Sequence, residues 1–112
     1  MPKNLNQLNI KEARELLDGG KVTAMELAEA CLARIEVVDG KLHACLTVCK
    51  ERALAEAKAA DERIKAGESG PLLGIPYIAK DNIMTKGVRT TAASKLLENF
   101  SAPYDATVIK RL

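Results

Sequence analysis

Lys80 closes the apolar run Gly74-Ile-Pro-Tyr-Ile-Ala-Lys80 and is followed at once by Asp81. A lysine led out of such a run loses part of the hydration of its ammonium. That favours the neutral amine, which is a usable base. Taken from these residues alone, a surface lysine paired with Asp81 is the commoner arrangement, since perturbed groups are the minority. Gly74 and Pro76 shape the approach, the one through backbone freedom and the other through a fixed φ.

The stretch Thr85-Lys-Gly-Val-Arg-Thr-Thr-Ala-Ala-Ser94 is rich in hydroxyls and carries Gly87. Such a loop can offer side-chain and backbone groups to a ligand, although an ordinary polar loop has the same composition. It lacks the glycine-lysine spacing of a phosphate-binding loop. Ser94 lacks the glycine setting of a nucleophile elbow. His43 is the single histidine and has no acidic residue beside it to orient the ring, so a structural place is predicted for it. Cys31, Cys45 and Cys49 contain no Cys-x-x-Cys pair, and a zinc site would need a carboxylate ligand. Reduced thiols in a cytosolic protein, with no metal, are the expectation.

Helices are predicted to hold these residues in place. Residues 8–18 form a short amphipathic pattern with Leu8, Ala13, Leu16 and Leu17 on one face, an Asn9–Glu12 capping pair, and Gly19-Gly20 as a stop. Thr23-Ala-Met-Glu26 is a capping box before Leu27, Ala28, Cys31, Leu32, Ile35 and Val38, with Asp39-Gly40 as the expected end. Ala44–Cys49 is short, apolar and partly β-branched, and is predicted as a strand. A third helix is predicted over about 50–66, with Ala53, Leu54, Ala57, Ala60 and Ile64 inward and i, i+4 pairs at Arg52–Glu56, Lys58–Glu62 and Asp61–Lys65. From residue 72 the helical period disappears. Residues 72–79 are expected to feed a buried strand, 81–103 to be loop, and Lys95–Glu98 to make a helical turn. Asp105 is the expected N-cap of a last helix at the end of the chain.

Net charge is +2, so a polyanion partner is not indicated, and no basic run is interleaved with aromatics. With 47% hydrophobic and 29% charged residues the chain is not of disordered composition. The start of the chain lacks an apolar signal core, and no run is long enough to span a membrane. Aromatics are only 3%, with no Trp and one Phe, which suggests that part of the core lies in residues not present here.

Gly74-Ile-Pro-x-x-x-Lys-Asp-Asn-Ile83, Thr85-Lys-Gly-Val-Arg-Thr-Thr91, Ala93-Ser-Lys-x-Leu-Glu-Asn-Phe100 and Pro103-Tyr-Asp-Ala-Thr-Val108 together resemble the amidase signature family. Among its branches they resemble most the A subunits of glutamyl-tRNA(Gln) amidotransferases. The resemblance extends over nearly the whole chain and implies an α/β fold, a mixed sheet flanked by helices. Residues 1–112 would be the N-terminal portion of a single amidase domain, with helices and one short strand in 1–66 and the start of the catalytic core in 72–112. The resemblance also implies a Ser–cis-Ser–Lys triad, whose lysine falls on Lys80 as general base and acid. Asp81 is implied as a neighbour that orients the lysine or the loop, with Gly74, Pro76 and Gly87 as backbone-shape positions. The Gly/Ser-rich signature that supplies the triad serines is not found in these 112 residues, so the chain alone is expected to be inactive.

The implied activity of the whole protein is cytoplasmic hydrolysis of glutamine. The ammonia would convert Glu-tRNA(Gln) to Gln-tRNA(Gln) in a complex with subunits B and C, with ATP and magnesium used in the partner subunit. Two other readings stay open: a general amidase acting on small amides, and a non-catalytic helical interaction module. The chain by itself is expected to expose apolar surface and to be poorly stable.

Overall fold

The structure, a computed structural model, describes residues 4–112, so Met1, Pro2 and Lys3 lie outside it. The chain divides into two compact units. The first runs to Cys45 and resumes at Cys49–Pro76; the second comprises Leu46–Val48 and Tyr77–Leu112.

The first unit is helical. Helix α1, Ile10–Asp18, opens with a reciprocal capping box: Glu12 N–H donates to Asn9 Oδ1 at 2.8 Å, and Asn9 N–H donates to Glu12 Oε2 at 2.9 Å. Its end is closed by Gly20 at φ 66°, where the Lys21 N–H reaches back to the Leu16 carbonyl at 2.9 Å. Helix α2, Ala24–Leu42, starts on the Thr23–Glu26 capping box. Helix α3, Lys50–Lys65, stops in the same manner as α1, with Gly67 at φ 89° and Glu68 N–H on the Arg63 carbonyl at 3.0 Å. Of the three charge pairs expected on α3, Arg52–Glu56 forms at 3.0 Å. Asp61 turns instead to the start of α2, where it accepts the Ala24 N–H at 2.7 Å and the Met25 N–H at 3.1 Å.

These helices enclose a small core of Ala13, Leu17, Val22, Ala24, Leu27, Ala28 and Ala57. Leu17 and Leu27 are each 2% exposed, and burying a leucine to this extent contributes about 2 kcal/mol. The α2 stripe is fully covered only near its start. Cys31, Leu32, Ile35 and Val38 are half-buried. Burial pushes the Cys31 thiol above its ordinary value. Cys31, Cys45 and Cys49 are free thiols.

Four expectations are corrected. Helix α2 does not stop at Asp39-Gly40 but runs to Leu42, with His43 as a left-handed cap at φ 50°. The Asp39 carboxylate explains this. It accepts the N–H groups of Ala44 at 2.7 Å and Cys45 at 3.2 Å, so the supposed breaker tethers the chain beyond the helix.

Ala44–Cys49 forms no strand, and Leu46 and Val48 are exposed. Residues 72–79 form no strand either. Leu73 and Ile75 N–H groups bond back to Gly70 and Leu72 carbonyls in turns, and Gly74 at φ 82° breaks the extended path. The mixed sheet is therefore absent among the described residues. Their only bridge pairs Arg89 with Ser101. Strand preference in a segment is not enough, because a strand exists only where a partner takes up its N–H and C=O groups.

The fourth correction concerns the last helix, α4, Thr107–Arg111. It is preceded by Ala106 as cap, because Asp105 directs its carboxylate to the Lys86 N–H at 2.6 Å.

The second unit is a folded-back loop. Val88 and Gly87 pair with Ala102, Thr90 N–H donates to the Phe100 carbonyl at 2.9 Å, and Ala106 N–H donates to the Met84 carbonyl at 2.7 Å. The turn expected at Lys95–Glu98 is present as a 3-10 turn over Lys95–Leu97, with Glu98 as its C-cap. No helix among the described residues is long and apolar enough to cross a membrane.

Candidate functional site

Gly74 belongs to the first unit, and its backbone explains the residue type. The φ of 82° disfavours any side chain. A Cβ there would also stand 3.2 Å from the Ala24 Cβ and 3.4 Å from methyls of Leu17 and Ile64. Glycine thus lets the chain pass close to all three helices. Arg14 on α1 fixes the turn just before it, donating from Nη1 to the Gly70 and Leu73 carbonyls while Nη2 pairs with Asp18 at 2.8 Å. Pro76 is exposed and borders an apolar cleft that also touches Leu8, Leu27, Cys31 and Ile75.

Lys80, Asp81 and Gly87 belong to the second unit. Lys80 is exposed and lies on irregular chain, its carbonyl accepting the Ile83 N–H at 3.0 Å. The apolar run before it is also open: Ile78 is 75% exposed. Gly87 takes φ 77° and donates its N–H to the Ala102 carbonyl at 2.9 Å, which holds the folded-back loop closed.

Asp81 is the most firmly held group of the set. Its Oδ1 accepts the Thr91 N–H at 3.0 Å, its Oδ2 accepts the Thr91 hydroxyl, and its main-chain carbonyl accepts the Ala92 N–H at 3.0 Å. The Thr91 hydroxyl, above all, holds the Asp81 carboxyl below its ordinary value. The N–H groups of Thr91 and Ala93 and the Arg89 guanidinium add to this, against an opposing contribution from partial desolvation. Ala92 and Ala93 lie at φ 47° and 60°, so the chain after Thr91 folds back over Asp81.

Thr90 and Thr91 are each 6% exposed, so the hydroxyl-rich loop is partly interior. Sequence alone does not select Thr91. Its signal there is a hydroxyl ten residues after an acid, which is too common to mark a site. Ser94 is half-buried and precedes the 3-10 turn, and His43 is exposed at the end of α2. No group of three or more His, Cys, Asp or Glu among the described residues is placed to hold a metal ion. Chemically, the arrangement is an accessible amine carried on a loop whose next residue is clasped by Thr91 and Ala92.

Comparison with known proteins places this loop in context. The profile of the amidase family matches residues 26–112. The chain is 53% identical over 108 residues to the A subunit of glutamyl-tRNA(Gln) amidotransferase from Roseiflexus sp. (strain RS-1), covering 96% of this chain and 22% of that protein. It is 50% identical over 107 residues to the protein of the same name in Thioalkalivibrio sulfidiphilus, with the same coverage. The chain thus spans about a fifth of the length of these relatives, 22% in each case. A solved structure described as "An unexpected vestigial protein complex reveals the evolutionary origins of an s-triazine catabolic enzyme" superposes with a TM-score of 0.87 at 36% identity, covering 93% of this chain and 23% of that one. The profile match and the identities take in the whole clasped lysine loop, and this chain belongs to the amidase family.

Proposed function

We propose that this chain is the N-terminal part of the A subunit of a glutamyl-tRNA(Gln) amidotransferase, working in a longer protein that hydrolyses glutamine. The 53% identity over 96% of the chain to the Roseiflexus protein carries the reading. Residues 1–112 then belong to a single amidase domain. The exposed Lys80 and the irregular run before it meet strands and triad serines supplied by later residues. Lys80 takes a proton from the middle serine, which takes one from the nucleophilic serine as that attacks the amide carbon of glutamine. A proton returns by the same route to the leaving ammonia, and water then hydrolyses the acyl-serine ester to release glutamate. The Gly74 crossing and the Gly87 turn set the backbone on either side of it.

The ammonia passes to a partner complex of subunits B and C, where Glu-tRNA(Gln) is amidated. ATP and magnesium act in that partner, and tRNA is contacted mainly there. The whole assembly is cytoplasmic. The chain by itself is inactive because the nucleophile lies outside it. A second reading, an amidase acting on small amides, is favoured by the match to a structure described in terms of an s-triazine catabolic enzyme, but at the lower identity of 36%.

Glutaminase activity of the full-length protein with its partner subunits tests the proposal. Lys80→Ala should abolish ammonia release from glutamine while leaving the circular dichroism spectrum unchanged. Activity retained in that variant removes Lys80 from its role. Ready hydrolysis of simple amides without any response to glutamine points to the second reading.

A further inference from the structure

Lys80 and Asp81 stand on neither a helix nor a strand, so regular backbone bonding does not hold the lysine in place. The order comes from Thr91. Its N–H and hydroxyl grip both carboxylate oxygens of Asp81, while the next N–H, of Ala92, grips the Asp81 carbonyl. Residue 81 is therefore tied through side chain and main chain at once, which sets the peptide that joins it to Lys80. On the other side, the Ile83 N–H holds the Lys80 carbonyl at 3.0 Å. The threonine side of the clasp is buried, with Thr91 6% exposed, while Asp81 is half-buried. The clasp is kept although Ala92 and Ala93 adopt left-handed φ values of 47° and 60°, a conformation that alanine disfavours.

We propose that Thr91 is a positioning residue for the proposed reaction, acting through Asp81 to aim the Lys80 amine. This rests on the reading of Lys80 as the proton-carrying group. The hydroxyl is the part of Thr91 that matters. It is the one donor in the clasp that a substitution removes without touching the backbone bonds.

The experiment measures glutaminase kinetics of the full-length protein with its partner subunits, for Thr91→Val, Thr91→Ser and Lys80→Ala in parallel. Valine matches threonine in shape and lacks the hydroxyl. Thr91→Val should lower kcat by about 10- to 100-fold with KM within about twofold, since a misaimed proton carrier slows chemistry without weakening substrate binding. Thr91→Ser restores the donor and should return kcat to within about threefold of the wild-type value. A merely structural role would not separate serine from valine in kcat at equal folded content. If the valine variant does not accumulate, Thr91→Cys, similar in size and a far weaker donor, takes its place with the same expected loss.

An inactive Lys80→Ala together with a Thr91→Val kcat within about twofold of wild type overturns the positioning inference alone. A Thr91→Ser variant as slow as Thr91→Val also overturns it. An active Lys80→Ala overturns the reading of Lys80 and the inference with it.

Discussion

The Asp61 carboxylate, on α3, accepts the N–H groups of Ala24 and Met25 at the first turn of α2, at 2.7 and 3.1 Å. Helix α2 is thus capped twice, by Thr23 from its own chain start and by a side chain 37 residues away in sequence. The bonds satisfy backbone donors that the helix cannot satisfy itself, and they place a negative charge at the positive end of its dipole.

Removing this cap should loosen the packing of α2 on α3. Asp61→Ala is expected to destabilise the protein by about 1–2 kcal/mol, and Asp61→Asn by less, since the amide oxygen still accepts. Urea unfolding followed by circular dichroism gives the comparison. Equal stability of wild type and Asp61→Ala would show that the long-range cap contributes nothing.

Gly74 is constrained twice, by its left-handed backbone at φ 82° and by the 3.2 Å space left beside Ala24. Gly74→Ala should cost about 2 kcal/mol or more, because strain and crowding act on the same atom. A thermal melt of the variant lying within about a degree of wild type would contradict this. The control is Gly40→Ala, which meets open space within α2 and should be neutral or stabilising.

Asp81 links the loop to acidity. Its carboxyl is held below its ordinary value of 3.8 in the folded protein, chiefly by the Thr91 hydroxyl. The unfolded chain therefore binds this proton more readily than the folded one. The stability it contributes is complete above the unfolded value, and is lost as pH falls through the folded one, below about pH 4. In Asp81→Asn this acid-sensitive part should vanish, so the variant's stability should change less with pH below about 4 than the wild type's. Parallel acid dependence in the two proteins would mean that the carboxylate is not held by Thr91 in solution. Proton exchange at the Thr91 and Ala92 amides offers a local readout of the same bonds.

Much of the helical half is legible in the residues. Asn9–Glu12 and Thr23–Glu26 act as capping boxes, and Gly19-Gly20 and Gly67 act as stops, because each is a bond between groups only a few positions apart. The same local reasoning fails where a side chain serves a distant backbone. Asp39 has the sequence setting of a stop signal but tethers Ala44 and Cys45. Asp105 has that of a cap but bonds Lys86. Asp61 has the spacing to pair with Lys65 but caps α2. An acid near a helix end has several backbone donors within reach, and only the folded chain decides among them.

The amidase family is equally plain in the sequence, since it rests on residue types at set spacing, from Gly74 through Lys80 and Asp81 to the Pro103–Val108 segment. What residue order alone determined is therefore the local grammar: which segments turn as helices, where they stop, and which lysine stands at the end of an apolar run. The tertiary structure decided the rest. It gave Gly74 its crowded crossing, denied Ala44–Cys49 and 72–79 the partners a strand requires, and brought Thr91 onto Asp81. The physical reason is common to all three. Each depends on contacts between groups far apart in the chain, and the energy of such contacts exists only once the loops between them have closed.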